Sequence, residues 1–265
     1  MQQVTQAKGT MAQPAVVLQP IVDFADGSVW AHEALCRVPH SPFRYLVAGG
    51  GSSLPEESSI VLEARMLRSA LQARALMPED QILAVNVSPT ALLTDEVQLT
   101  LVNAGSLDGV MIELTEHRAP EPIDEVSRAV AALRDLGACI GLDDVGGGRG
   151  ALRYARVLSP DIIKLDGDVV RGVDTEPMQR VMVESALAVA RDLDIPVVAE
   201  GIETTNELDV LLRMGITLGQ GFLLARPASR PGVVSPHVQR WLSARAGRLA
   251  ARTAVARGPH VAAAS

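Results

Sequence analysis

The chain has 265 residues, a formal net charge of −7 and 48% apolar residues, which fits one large domain or two small ones and excludes a disordered chain. Two cysteines, Cys36 and Cys139, are too few for a disulfide scaffold and read as small buried apolar residues. Aromatic residues are only 3%, so Val, Leu, Ile and Ala must build the core, a composition suited to buried parallel strands.

Residues 1–14 carry no apolar core of a signal peptide, and they read as a flexible leader. Strands are expected at 16–24, 30–38, 82–88, 110–115, 139–145, 162–166, 196–202 and 216–223, where apolar residues cluster in short runs. Helical spacing falls between them, at 57–77, 93–104, 123–136, 150–157, 176–193, 204–213 and 235–250. The turn Ala25-Asp26-Gly27-Ser28 makes the first two strands an antiparallel hairpin. After it, each strand is followed by a helix, the pattern of parallel βα units. The fold class is therefore α/β, and the count suits a TIM-like (β/α)8 barrel with one antiparallel strand over 15–250. An open doubly wound sheet is the alternative, but its Gly-rich first turn is missing.

No apolar run reaches the roughly 18–20 residues of a membrane span, so a cytoplasmic protein is expected. From Arg230 onward there are six arginines and no Asp or Glu, which leaves the body more acidic than the whole chain. That body argues against a nucleic acid polymer as partner. The stretch 251–265 reads as a disordered Ala/Arg tail.

Barrel chemistry sits where strands run into the following loops. The polar residues falling there are Glu33, Asn86, Glu113, Glu116, Asp143, Asp144, Lys164, Asp166, Glu200, Glu203 and Gln220. Two carboxylates ~4 Å apart repel by about 4 kcal/mol at an effective dielectric of 20. Five or more at one mouth require cations or shifted pKa values. Oxygen ligands with one amide suit Mg²⁺ or Mn²⁺ rather than zinc. All but two of the 24 basic residues are arginine; the lysines are Lys8 and Lys164. Keeping Lys164 inside a strand suggests a task for a compact ammonium. Alternation puts Glu33, Leu35 and Arg37 on one strand face, which fits either a metal and phosphate site or an exposed Glu–Arg pair. His32 points the other way and reads as structural.

Eight segments now come together in order: Gln19-Pro20-Ile21-Val22, Glu33-Ala34-Leu35-Cys36-Arg37, Asn86-Val87-Ser88, Glu113-Leu114-Thr115-Glu116, Asp143-Asp144-Val145-Gly146, Ile163-Lys164-Leu165-Asp166, Ala199-Glu200-Gly201-Ile202-Glu203 and Gln220-Gly221-Phe222. Across about 15–228 they resemble the EAL family of cyclic di-GMP phosphodiesterases. The resemblance implies hydrolysis of cyclic di-GMP to linear pGpG by a water activated at two divalent cations, Mg²⁺ or Mn²⁺. It implies Glu33, Asn86, Glu113, Asp143, Asp144 and Glu200 as metal ligands. Lys164, with Glu33 and Glu200, is implied as catalytic, positioning or deprotonating the water. It further implies Gln19, Arg37, Gln220 and Pro227 at the substrate, and Glu116, Asp166 and Glu203 as supporting groups, Glu116 anchoring the loop after the Asp pair. A homodimer is implied, and with no sensory domain in the leader, regulation is expected to come through dimerisation, a regulatory protein partner or substrate supply.

The chain departs from the family pattern in three places. Asp143 to Leu152 reads DDVGGGRGAL where aromatic packers and hydroxyls are usual, Gly49-Gly50-Gly51-Ser52-Ser53 stands where a helix begins, and Leu224-Ala225-Arg226-Pro227 replaces Phe-Gly-Arg-Pro. The first change favours an alternative, a cyclic di-GMP receptor or scaffold that binds without hydrolysis. An enolase-like barrel also uses carboxylates and lysine, but it leaves the Glu33–Arg37 run and the Asp143-Asp144 pair unexplained.

Overall fold

A computed structural model describes residues 14–37, 56–115, 122–146 and 149–245. Residues 1–13 of the expected leader, the Gly49–Ser53 stretch, Glu116 and the 251–265 tail lie outside the described residues.

Eight strands close into a barrel in chain order: β1 (Ala15–Asp23), β2 (Val29–Arg37), β3 (Ile82–Val87), β4 (Val110–Thr115), β5 (Cys139–Val145), β6 (Ile162–Leu165), β7 (Val197–Ala199) and β8 (Leu218–Gly219). β1 runs antiparallel to both neighbours, β2 and β8, and every other pair is parallel. The helices are α1 (Glu56–Gln72), α2 (Pro89–Leu92), α3 (Asp95–Asn103), α4 (Ile123–Asp135), α5 (Arg149–Leu158), α6 (Gly167–Val170), α7 (Pro177–Asp192) and α8 (Thr205–Met214), followed by a last helix over 236–245. This is the α/β barrel with one antiparallel strand that the spacing anticipates.

The first six strands fall within a residue or two of their expected bounds, whereas β7 and β8 are shorter. Their apolar runs continue, but Gly201 turns with φ 66°, and residues 222–224 form a turn directly after Gly221. The short helices α2 and α6 fall outside the expected helical stretches; Ser88 caps α2 by accepting the Ala91 N–H at 3.2 Å, and Pro89 opens it.

Alternation divides each strand between two environments. Outward residues such as Ala34, Cys36, Val85, Ile112, Leu142 and Leu165 pack on the helices in two apolar clusters. Inward residues form a separate apolar plug of Ile21, Ala31, Ala84, Met111, Ile162, Val198 and Leu218. β5 contributes Gly141 to this layer, because a side chain there would meet Glu113, Ile162 and Met111 at 3.2–3.4 Å. His32 faces outward as expected; it is fully buried, and its Nε2 accepts the Gly232 N–H at 3.0 Å.

One step further along each strand lies the next inward position. In the seven parallel strands these are Glu33, Asn86, Glu113, Asp143, Lys164, Glu200 and Gln220. Because β1 runs the other way, its counterpart is two residues earlier, Gln19, paired in register with Glu33. Each strand thus sends one polar residue into a ring that rests on the apolar plug.

The turn behind Gln220 tolerates no side chain. A Cβ on Gly221 would lie 2.2–2.3 Å from the Ile202 backbone. Gly221→Ala is expected to destabilise the protein by about 3 kcal/mol, the upper end for overpacking, read as a lower urea midpoint. An unchanged midpoint would show that this turn does not constrain the β8 end.

Candidate active site at the barrel mouth

Lys164 is the hub of the ring. Its side chain is fully buried, and its Nζ lies 2.5 Å from Glu200 Oε1, 3.1 Å from Glu113 Oε2, and 3.4 Å from both Glu33 Oε2 and Asp143 Oδ1. Four carboxylates therefore share one ammonium. An isolated buried ammonium would be prohibitive, so the acids make Lys164 possible. The converse does not hold, because one positive charge cannot balance four negative ones.

The remaining members orient the cluster. Glu33 is fixed at both oxygens: Asn86 Nδ2 donates to Oε1 at 2.7 Å, and Gln220 Nε2 donates to Oε2 at 2.7 Å. Gln220 Nε2 also reaches Gln19 Oε1 at 3.2 Å, and Gln19 Nε2 donates to the Ala225 carbonyl at 3.2 Å. That last bond, with the backbone pairing of Leu18 and Ala228, ties the segment carrying Pro227 to β1.

Titration behaviour follows from this geometry. Burial, together with the neighbouring carboxylates, holds Glu113 and Glu200 well above the usual carboxylate range despite the Lys164 charge. Burial raises Asp143 as well. For Glu33, burial pushes upward, but the Lys164 charge and the bonds from Gln220 and Asn86 outweigh it and leave the carboxyl below its ordinary value. Burial works against the Lys164 charge, yet Asp143, Glu113, Glu200 and Glu33 overcome it and raise the ammonium well above the ordinary lysine value. With these four carboxylates as its neighbours the lysine stays protonated at neutral pH.

Asp144 follows Asp143 at the end of β5 with φ 58°, where the β5–β6 register shifts. Aspartate tolerates this left-handed conformation better than most residues. Here the strict alternation of a strand is broken, and two consecutive acids leave it at the barrel mouth. Arg37 ends β2 half-buried, four residues beyond Glu33. Asp166 caps α6 by accepting the Asp168 N–H at 2.8 Å. Glu203 is exposed, and its N–H donates to Glu207 Oε2 at 3.1 Å. The ring thus unites Gln19, Glu33, Asn86, Glu113, Asp143, Lys164, Glu200 and Gln220, while Asp166 and Glu203 serve the loops beyond it.

Glu207 was not among the residues selected from the sequence. Its carboxylate accepts the N–H groups of Gly172, Glu203 and Thr204, joining the chain after β6 to the chain after β7. The signal was available: Thr204-x-x-Glu207 is a capping box, confirmed at the start of α8.

The donor set suits a divalent cation. Asn86 Oδ1, Glu113 Oε1 and Gln220 Oε1 are buried without hydrogen-bond partners in the protein, and all are hard oxygen acceptors. Among the described residues no three His, Cys, Asp or Glu side chains are grouped closely enough to hold an ion as they stand; the carboxylates face Lys164 instead. Excess negative charge, orphan oxygens and the absence of sulfur or imidazole in the ring fit Mg²⁺ or Mn²⁺ chemistry.

Comparison with known proteins agrees with this architecture. The family model described as EAL domain matches residues 4–227. Cyclic di-GMP phosphodiesterase NbdA of Pseudomonas aeruginosa is 32% identical over 220 residues, covering 79% of this chain and 28% of that protein. The chain spans less than half the length of the first curated relatives it matches. Among solved structures, the calcium and cyclic di-GMP complex of Klebsiella pneumoniae BlrP1 is 31% identical with a TM-score of 0.70, covering 84% of this chain and 58% of that one. A manganese and cyclic di-GMP complex of the same protein is 30% identical with a TM-score of 0.69, covering 87% and 59%.

A carboxylate whose folded pKa is raised binds a proton that the unfolded chain has released above about 4.5, so its contribution to stability falls as pH rises. In chelator, Glu113→Gln is therefore expected to gain stability relative to wild type between pH 5 and 8. The gain should grow steadily across that window. Parallel urea titrations at both pH values check this, and a difference that stays constant or shrinks contradicts the charge imbalance.

Proposed function

The chain belongs to the EAL domain family, and on that premise we propose that it is a phosphodiesterase hydrolysing cyclic di-GMP to linear pGpG. The observation that carries the proposal is the complete polar ring, with Lys164 held among four carboxylates. Cyclic di-GMP complexes of family members with calcium or manganese support the substrate and the kind of ion.

A substrate carrying two phosphodiester anions is repelled by an acidic cup unless cations stand between them. Two divalent cations, Mg²⁺ or Mn²⁺, held by Glu33, Asn86, Glu113, Asp143, Asp144 and Glu200, would supply that charge and Lewis acidity toward phosphoryl oxygen and water. Gln220 and Asn86 keep both Glu33 oxygens in fixed directions. Lys164, buried among the four carboxylates, suits positioning or deprotonating the attacking water. Arg37 at the end of β2 suits a nonbridging phosphate oxygen, and Gln19 and Pro227 complete the rim of the substrate site. In the reaction a water oxygen bonds to phosphorus and the P–O3′ bond breaks. The leaving 3′-oxygen gains a proton, the water loses one, and a 5′-phosphate remains. A homodimer and a protein partner for regulation form part of the same reading.

With Mg²⁺ or Mn²⁺ the purified protein is expected to convert cyclic di-GMP to pGpG, and chelator should stop it. Glu33→Ala and Lys164→Ala should each lower kcat by roughly 10²–10³-fold, the range for removing one preorganised electrostatic contact from a reacting centre, with the circular dichroism of the fold retained. Binding of cyclic di-GMP without turnover in either metal would replace the enzyme with a receptor. Neither binding nor turnover would remove both.

A further inference from the structure

One buried carboxylate outside the ring takes no part in this chemistry. Glu63 lies on α1 and is 8% exposed, in the same stripe as Ile60, Leu67 and Ala70, where helical spacing calls for an apolar side chain. Its Oε1 accepts the Ser88 N–H at 2.5 Å and its Oε2 accepts the Ser88 hydroxyl at 3.0 Å. Ser88 is the first residue past β3, and its Oγ also caps α2. Two residues earlier is Asn86, whose Nδ2 holds Glu33 at 2.7 Å and whose Oδ1 has no hydrogen-bond partner.

An apolar residue at 63 would avoid the cost of burying a carboxylate, though it would orphan the Ser88 N–H. Two bonds to one residue do more than satisfy a donor. They fix both the place and the rotation of the corner where β3 turns into α2, and Asn86 is the last inward residue before that corner. We propose that Glu63 is a positioning residue for Asn86: from the outer helix layer it clamps Ser88 and thereby aims the Asn86 carboxamide oxygen into the mouth. This rests on the metal-binding role proposed for Asn86. Glu63 itself touches neither ring nor substrate.

The test compares Glu63→Ala, Glu63→Gln, Asn86→Ala and the Glu63→Ala/Asn86→Ala pair. Manganese affinity is read by calorimetry, kcat and KM with cyclic di-GMP, and thermal midpoint. Glu63→Ala is expected to weaken Mn²⁺ binding and lower kcat by about 10-fold or more, as for groups that orient metal ligands, with KM within about twofold. Glu63→Gln, which can still accept from the Ser88 N–H, should recover most of both. In the Asn86→Ala background the Glu63 change should add nothing, because both act through one side chain. A lowered midpoint with Mn²⁺ affinity and kcat intact, or additive effects in the pair, overturns the proposal. Should Glu63→Ala not fold, Ser88→Ala must shift affinity and kcat in the same direction, and no shift overturns it. If wild type neither binds Mn²⁺ nor hydrolyses cyclic di-GMP, the proposed function fails. The clamp is then read by the Asn86 side-chain amide resonances: movement in Glu63→Ala, or in Ser88→Ala if Glu63→Ala does not fold, upholds it and unchanged resonances overturn it.

Discussion

The ammonium of Lys164, sealed from water and ringed by Glu33, Glu113, Asp143 and Glu200, sets the terms for the whole mouth of the barrel. It cannot be buried without those acids, and they cannot all be ionised with it alone. The folded chain therefore carries an electrostatic deficit at its centre that a hydrophobic layer would not have. Such a layer exists immediately below, from Ile21 to Leu218, which locates the sacrifice in one ring of the barrel and leaves the packing beneath intact.

Barrel geometry explains how eight separate segments deliver one side chain each. Inward positions recur every second residue, so the plug and the ring are successive layers of the same pattern. β1 obeys it in reverse, which is why Gln19 precedes Ile21 whereas Glu33 follows Ala31. Gly141 leaves room for Met111 in the plug and for Glu113 in the ring above it, and Gly221 lets the chain behind Gln220 approach the Ile202 backbone. Beyond the ring, carboxylates act as mechanical parts. Glu207 spans the connections after β6 and β7, and Glu63 holds the corner after β3.

Much of this was legible from the amino acids. Val110–Thr115 and Cys139–Val145 were bounded correctly because their apolar runs end at the ladder. The β7 and β8 runs misled, since Ile202 and Leu223–Leu224 are apolar for packing after the chain has turned. Glu63 escaped notice because a lone acid in an apolar stripe has no local partner to reveal it. Ser88 is 25 residues away.

By itself the sequence determined the period-2 alternation, the hairpin at Ala25–Ser28, the order of βα units and the identity of the polar residues at strand ends, because each depends on near neighbours along the chain. Tertiary structure alone decided that four acids face one lysine, that Gln220 and Asn86 grip opposite oxygens of Glu33, and which carboxyls are driven up or down. Those outcomes depend on ring closure and strand register, and on charges summed over distances that no linear spacing encodes.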